Sequence, residues 1–176
     1  MRREMRKIVL TMWVILAGAC PVSASSITID SGHYTWTDSD PYYDEVFLEN
    51  SASLDFIGGV IGHLDTRHDS LANIDGGNMD YLGTYDNSVV NLYTGEWDWL
   101  VSHNNSKVYL WAYNVIYDPT GGIYADGSLE GYFYKDDTEF NFSLLNPGTY
   151  SHVEIIPEPT TLLLLGFGAI FLRKHK

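Results

Sequence analysis

The sequence predicts an all-β fold, a small parallel β-solenoid with rungs of about 18 residues and a C-terminal β-hairpin cap. Three observations favour this fold. Successive segments align at a spacing of 18 residues when the chain is cut at Ala52, Ser70, Ser88 and Ser106. Apolar residues recur at the third and fifth positions of each segment, which is the period of a half-buried strand. Residues typical of turns separate these short strands.

The aligned positions identify the predicted inner face of the solenoid. The third position is Leu54, Ala72, Val90 and Val108, the fifth is Phe56, Ile74, Leu92 and Leu110, the tenth is Ile61, Met79, Trp97 and Val115, and the thirteenth is Leu64, Leu82 and Leu100. Asp118 breaks the pattern at the thirteenth position of the last segment. One such unit cannot bury its apolar face alone, so stacked neighbours, ~4.8 Å apart, are expected to cover it. A meander of unrelated antiparallel strands is the alternative.

Two kinds of turn alternate along the predicted repeat. Gly58-Gly59 and Gly76-Gly77 align with Thr94-Gly95, and glycine adopts positive φ without steric penalty. Asp69, Asn87 and Asn105 end the segments, and such side chains hydrogen-bond to their own backbone in turns.

The regions that flank the repeats read as caps. Ser26 to Asn50 contains short alternating stretches and is interpreted as an atypical N-terminal cap, in which residues 46–48 form the end of a degenerate rung. Residues 126–133 and 138–144 alternate in polarity around the turn 135–137. They predict a hairpin that covers the exposed edge of the solenoid.

The N-terminus reads as a secretory signal peptide over residues 1–24. Four basic residues precede an apolar run from Ile8 to Ala19, and Val22-Ser23-Ala24 has the small residues of a cleavage site. Cleavage is predicted after Ala24, with a lipoprotein-like site at Cys20 as the alternative. The general secretory route is favoured over the twin-arginine route, and the segment is predicted to be helical.

The exported domain, residues 25–152, has an unusual composition. The only cysteine, Cys20, lies in the signal, so the exported part has no disulfide option. From Ser25 to Pro157 the chain carries 3 basic and 21 acidic residues, a formal charge of 3 − 21 = −18. This charge excludes nucleic acid and anionic lipid as partners of the domain.

The sequence shows no constellation typical of an enzyme. The six histidines are scattered, without the spacing of metal ligands. Asp80 and Asp98 align as a potential carboxylate pair, and Gly76-Gly77-Asn78-Met79-Asp80 lacks the third glycine of the calcium-binding nonapeptide. We therefore predict no catalytic residues, no metal site and no cofactor.

The C-terminal segment, residues 153–176, has three parts in a fixed order. Pro157-Glu158-Pro159 is stiff and extended, because proline fixes its own φ and restricts the residue before it. An uncharged run follows, predicted to be a membrane helix through Leu162, Leu163, Leu164, Leu165, Phe167, Ile170, Phe171 and Leu172. The tail is basic, with Arg173, Lys174 and Lys176. The 13 residues from Thr160 to Leu172 would span about 20 Å as a helix, short of a ~30 Å hydrocarbon core.

This order resembles the PEP-CTERM sorting signal of Gram-negative envelope proteins. The resemblance rests on Pro157-Glu158-Pro159, Thr161, Leu165-Gly166 and the basic end. It implies recognition by exosortase, a membrane protease that cuts near the Pro-Glu-Pro motif. It also implies transient anchoring in the inner membrane, and then a place on the cell surface or in the extracellular matrix.

Two functions are consistent with the sequence. The first is a non-catalytic structural or adhesive protein of the cell envelope or exopolysaccharide matrix, with exopolysaccharide as a further partner. The second is a small carbohydrate-binding or carbohydrate-active β-helix protein. In the second, the aligned stripe Tyr81, Trp99 and Tyr117 would stack sugar rings, beside an acidic pair in a cleft.

Overall fold

A computed structural model describes residues 26–121 and 126–157, and nearly all of their regular structure is β-strand. In chain order the strands are β1 (Ser26–Ile29), β2 (His33–Trp36), β3 (Tyr43–Leu48), β4 (Ser53–Phe56), β5 (Val60–Thr66), β6 (Leu71–Thr84), β7 (Val89–Ser102), β8 (Lys107–Leu110), β9 (Ala112–Asp118), β10 (Ser128–Phe133), β11 (Glu139–Leu144) and β12 (Val153–Ile155). A 3₁₀ helix, Thr149–His152, precedes β12.

The strands form two ladders that face each other across one core. The first ladder runs β1, β3, β5, the second halves of β6 and β7, then β11, β10 and β9. The second runs β2, β4, the first halves of β6 and β7, then β8 and β12. Every pairing is parallel except those of β10 with β9 and β11. The described body is therefore a β-solenoid, as the sequence predicted, and the antiparallel meander is wrong for the repeats.

The 18-residue alignment is confirmed by the strand register. Leu54 pairs with Ala72, Ala72 with Val90 and Val90 with Val108. The neighbouring column pairs Phe56, Ile74, Leu92 and Leu110 in the same order, and all four have 0% of their surface exposed. Each inner side chain therefore packs on the equivalent residue of the next rung, and this repetition builds the core.

The turn after each rung contains a residue in the left-handed conformation, which the residue pattern only partly predicted. His68, Asp86 and Asn104 recur every 18 residues and have φ of 57°, 59° and 62°. Residues with short polar side chains tolerate this left-handed conformation best. The buried hydroxyls beside the turn bond to one another between rungs, as Thr84 does to Ser102 at 2.8 Å. These bonds satisfy polar groups that the corner buries.

The glycine turn lies where the alignment placed it. Gly59, Gly77 and Gly95 have φ of 88°, 78° and 136°. A Cβ atom on Gly77 would lie 2.6 Å from the ring of Phe56 in the rung below. Glycine is required there both by the backbone conformation and by the close approach of the neighbouring rung.

The N-terminal region is more regular than predicted. β1 and β2 form a rung of their own, since β1 pairs in parallel with β3 and β2 with β4. Val46, expected in the end of a degenerate rung, is a fully buried residue of a complete strand. Ile27 pairs with Val46, and the spacing between these two residues is one longer than the 18-residue repeat. An 18-residue alignment therefore does not detect this rung.

The last repeat departs from the alignment. Val115 was expected beside Trp97, but within the described residues β9 pairs only with β10, and β11 lies next to β7 instead. Leu144 takes the place opposite Leu100 that Asp118 could not fill, since a carboxylate cannot enter the core unpaired. The predicted hairpin is confirmed as β10–β11, and it covers the edge of β7.

The predicted signal helix and membrane helix lie outside the described residues. Within 26–121 and 126–157, no helix is long and apolar enough to cross a membrane.

A substitution at Leu92 tests the core column, because Leu92 has a buried neighbour in the rung on each side. Leu92→Ala should lower the free energy of unfolding by about 2–5 kcal/mol, the range for cavities in packed cores. Chemical denaturation measures this loss. Leu71→Ala is the matched control, since Leu71 is 37% exposed and should lose much less. Equal losses at the two sites would contradict the stacked core.

Gly77 tests the glycine turn. Gly77→Val should cost at least ~1–3 kcal/mol from the left-handed backbone alone, with a further loss from the contact with Phe56. Gly148→Val is the control, because Gly148 has φ of 94° but no atom within 4 Å of an added Cβ. The melting temperature should therefore fall further for Gly77→Val, and the reverse order would contradict the close approach of the rungs.

Candidate functional site

The described backbone pairing continues up to the start of the Pro-Glu-Pro motif. β12 pairs in parallel with β8, with Val153 opposite Val108 and Ile155 opposite Leu110. The backbone N–H of Ile156 then donates to the carbonyl oxygen of Leu110 at 2.9 Å. Pro157, the next residue, is exposed. The last backbone hydrogen bond within the described part of the chain thus lies one residue before the Pro-Glu-Pro motif.

Contacts on the preceding 3₁₀ helix hold β12 in place. The ring of Tyr150 stacks on that of Tyr117 in β9, with centroids 3.9 Å apart. The backbone N–H of Tyr150 donates to Asp126 at 2.9 Å, and His152 Nδ1 lies 3.0 Å from the carbonyl oxygen of Ser106. The C-terminal cap and the last strand are therefore fixed to each other as well as to the solenoid.

An acidic cleft lies where Asp80 and Asp98 align. Both side chains are exposed, and the cleft of about 340 Å³ also includes Glu96 and Glu139. Among the described residues, no group of three or more His, Asp or Glu side chains is placed to hold a metal ion. The aligned pair is present in the cleft, but Tyr81 and Trp99 do not line it.

The predicted aromatic stripe is only partly formed. Tyr81 pairs with Trp99 in adjacent rungs, and the ring of His63 lies 5.2 Å from that of Tyr81. Tyr117 was expected next in this column, but this is wrong, because β9 leaves the parallel register and Tyr117 pairs with Leu129 of β10. The hydroxyl of Tyr81 is engaged by that of Tyr85 at 2.9 Å.

A half-buried ionic cluster lies beside this column. Arg67 donates to Asp65 at 2.9 Å and to Glu49 at 3.5 Å, and its guanidinium lies 4.7 Å from the centroid of the Phe47 ring. Burial raises the pKa of Asp65 above its ordinary value, and the hydrogen bond and charge of Arg67 oppose that rise. Oδ1 of Asp65 is buried and has no hydrogen-bond partner among the described residues. Arg67 therefore compensates only part of the cost of burying the Asp65 carboxylate.

The histidines have separate polar neighbours. His33 contacts Ser53 at 2.9 Å and Asp55 at 3.3 Å, while His103 Nε2 lies 2.7 Å from the amide of Asn146. His33 and His103 therefore take part in separate contacts and do not share a common centre.

Residues 156–176 match the family model of the PEP-CTERM protein-sorting motif. The chain carries a PEP-CTERM sorting motif. No curated protein and no solved structure matches the chain significantly. The matched region begins at Ile156, one residue before the Pro-Glu-Pro motif, and the N–H of Ile156 makes the last backbone hydrogen bond within residues 26–157. The PEP-CTERM motif is processed by exosortase, and it indicates an exported, cell-surface-directed protein.

Most sorting residues predicted from the sequence lie beyond the described part of the chain. Pro157 is described and exposed. The others fall outside: Ala24, Glu158, Pro159, the apolar anchor residues 162–165, 167 and 170–172, and the basic residues 173, 174 and 176. Their roles stay predictions.

Sequence reasoning missed β12. Residues 153–155 were assigned to the sorting segment, yet they form a strand of the solenoid. The alternation Val153-Glu154-Ile155 is the only local signal, and three residues are too few to distinguish a strand from an extended linker. The partner strand β8 ends at Leu110, 43 residues before β12 begins at Val153, so local patterning could not reveal the pairing.

The raised pKa of Asp65 can be tested through the pH dependence of stability. A pKa raised in the folded state means that the folded protein holds the proton more tightly than the unfolded chain does. The ionised Asp65 therefore weakens folding at neutral pH, and this loss disappears as the pH falls below the ordinary value of about 3.9. The melting temperature of Asp65→Asn relative to wild type should be higher at pH 7 than at pH 4.

The matched control is Asp80→Asn, which neutralises an exposed carboxylate of the neighbouring rung. Its difference from wild type should change less between the two pH values. A pH-independent difference for Asp65→Asn, or one that grows on acidification, would contradict the assigned cause of the shift.

Proposed function

We propose that this protein is a non-catalytic structural or adhesive component of the cell envelope or the exopolysaccharide matrix. The observation that carries the proposal is the direct junction of β12 with the sorting motif. β12 ends at Ile155 and the matched sorting motif begins at Ile156, so anchoring would hold the solenoid close to the membrane surface. Processing near Pro157 would release a complete solenoid, because β12 ends before the motif.

The surface of the body supports an extracellular role. Asn73, Asn91 and Asp55 form an outward ladder, with bonds of 2.8 Å between successive rungs. Asn87 bonds to Asp69 in the same way at 3.0 Å. These ladders engage polar side chains along the outside of the rungs, while the formal charge of −18 from Ser25 to Pro157 favours solubility. A solenoid with paired polar ladders and a strongly acidic surface suits a scaffold.

The proposed route has two processing steps. The general secretory pathway would export the chain and signal peptidase would cut after Ala24, giving a mature N-terminus at Ser25. Exosortase would then cut near Pro157-Glu158-Pro159, while the apolar run and basic tail hold the segment in the inner membrane. Exopolysaccharide is the proposed partner after release.

Mass spectrometry of protein recovered from the cell surface and matrix tests this route in a host with a working exosortase. Wild type should begin at Ser25 and end near Pro157. A variant with Pro157→Ala and Glu158→Ala should keep Lys176 and stay in the membrane fraction. Glu154→Ala is the control, since Glu154 is exposed in β12 and precedes the matched motif.

Recovery of mature wild-type protein that still ends at Lys176 would contradict exosortase cleavage. A lipid-modified Cys20 at the N-terminus would replace the assigned signal site with the lipoprotein alternative. Wild-type protein confined to the membrane fraction after cleavage would contradict the matrix role.

A further inference from the structure

A pocket of about 300 Å³ lies on the outside of the solenoid, where the C-terminal cap meets the repeats. It is lined by Asp75, Tyr93, Trp111, Tyr134 and Lys135. Its volume is at the lower end of the ~300–1,000 Å³ typical of small-molecule sites. Three of its five residues are aromatic, so most of its wall is apolar but has polar tips.

The repeat places the first part of this pocket. Ile57, Asp75, Tyr93 and Trp111 follow one another at 18-residue intervals, directly after the buried column that contains Leu92. The rings of Tyr93 and Trp111 therefore lie in adjacent rungs, with centroids 5.4 Å apart and planes 28° from parallel. Asp75 lies in the rung before Tyr93, where a shift in the strand register pairs it with Thr94.

The C-terminal hairpin supplies the other part. The backbone N–H of Tyr134 donates to the carbonyl oxygen of Trp111 at 3.2 Å, and the ring of Tyr134 stacks on that of Tyr113, with centroids 5.3 Å apart. Lys135 then reaches back, and its Nζ donates to Asp75 Oδ1 at 2.5 Å. The two side chains remain 50% and 35% exposed, so both can also bind a ligand.

The polar groups of the pocket suit hydroxyl groups. The ammonium group of Lys135 has three N–H donors and the carboxylate of Asp75 has two acceptor oxygens, so the ion pair does not use all of their hydrogen-bonding capacity. Nε1 of Trp111 is buried and has no hydrogen-bond partner among the described residues. A ligand with several hydroxyls and one apolar face would satisfy donors, acceptors and ring surface together.

We propose that this pocket binds a sugar ring of a neutral polysaccharide. An anionic sugar is disfavoured, because 21 acidic residues against 3 basic ones surround the site with negative charge. A quaternary ammonium ligand would need ring faces that enclose it. The nearly parallel planes of Tyr93 and Trp111 and the cation of Lys135 disfavour that ligand.

This site differs from the aromatic stripe and acidic cleft considered earlier. It shares no residue with the cleft around Asp80 and Asp98. The proposal deepens the proposed matrix role by assigning a ligand class to one site. It does not require sorting, so its test uses purified protein and can fail while the processing route holds.

Binding is measured by isothermal titration on the full-length chain in a detergent without a sugar headgroup. The probes are three neutral oligosaccharides (cellohexaose, xylohexaose and laminarihexaose), with oligogalacturonate and choline chloride as the charged comparisons. At least one neutral probe should bind. Tyr93→Ala and Trp111→Ala should each weaken it about tenfold or more, because each removes a ring from the stack.

Tyr42→Ala is the matched control, since Tyr42 is 54% exposed and does not line the pocket. It should leave binding unchanged. Lys135→Ala removes the ammonium group and its carbon chain but no ring, and it should also weaken binding, which keeps the test valid if a ring variant fails to fold. Far-ultraviolet circular dichroism confirms the fold of each variant.

Absence of binding by all three neutral probes would overturn the proposal, as would equal affinity of wild type, Tyr93→Ala and Lys135→Ala. Tighter binding of choline or oligogalacturonate than of every neutral probe would also overturn it and assign the pocket to that other ligand class.

Discussion

Parallel pairing between rungs at an 18-residue spacing is the constraint on which the described structure depends. It places Ile74 on Leu92 and Leu92 on Leu110, so one short apolar pattern generates a continuous core. The core has no disulfide to support it, because the only cysteine precedes the exported domain. Burial and backbone pairing must therefore supply the stability of the body.

The same spacing also organises the polar groups. Equivalent corner residues repeat the left-handed conformation at His68, Asp86 and Asn104, and equivalent amides bond along the axis, as Asn91 does to Asn73 at 2.8 Å. A slip of one residue would bury the outward side chains and expose the core, so the pattern specifies the register strongly. The ladders also pair polar side chains on the surface of a body whose acidic groups repel one another.

The 18-residue repetition stops near the C-terminal end of the body, and the segments that follow pair with the edges of the repeats. The β10–β11 hairpin pairs with β7 and prevents further stacking on that edge, while its turn contributes Tyr134 and Lys135 to the outer pocket. The 3₁₀ helix then returns the chain to the second ladder, where β12 pairs with β8. The C-terminal segments therefore cover an edge, complete a pocket and lead the chain to Ile156, where the PEP-CTERM motif begins.

Local patterning was sufficient wherever strands repeat in sequence. The columns through Phe56 and Leu54, the glycine turn at Gly77 and the hairpin cap could all be predicted, because alternation and spacing encode them directly. The sorting motif could be predicted for the same reason, since its three parts are adjacent in the chain.

Tertiary structure decided the pairings between segments that are far apart in sequence. Val115 had the right polarity for the next rung. The position opposite Leu100, however, would then have gone to Asp118, which cannot enter the core. Leu144 fills that position instead. The same competition brought Lys135 to Asp75, 60 residues apart, and Val153 to Val108. Such contacts depend on which segment buries its apolar face best against an existing edge, a comparison that no single stretch of sequence contains.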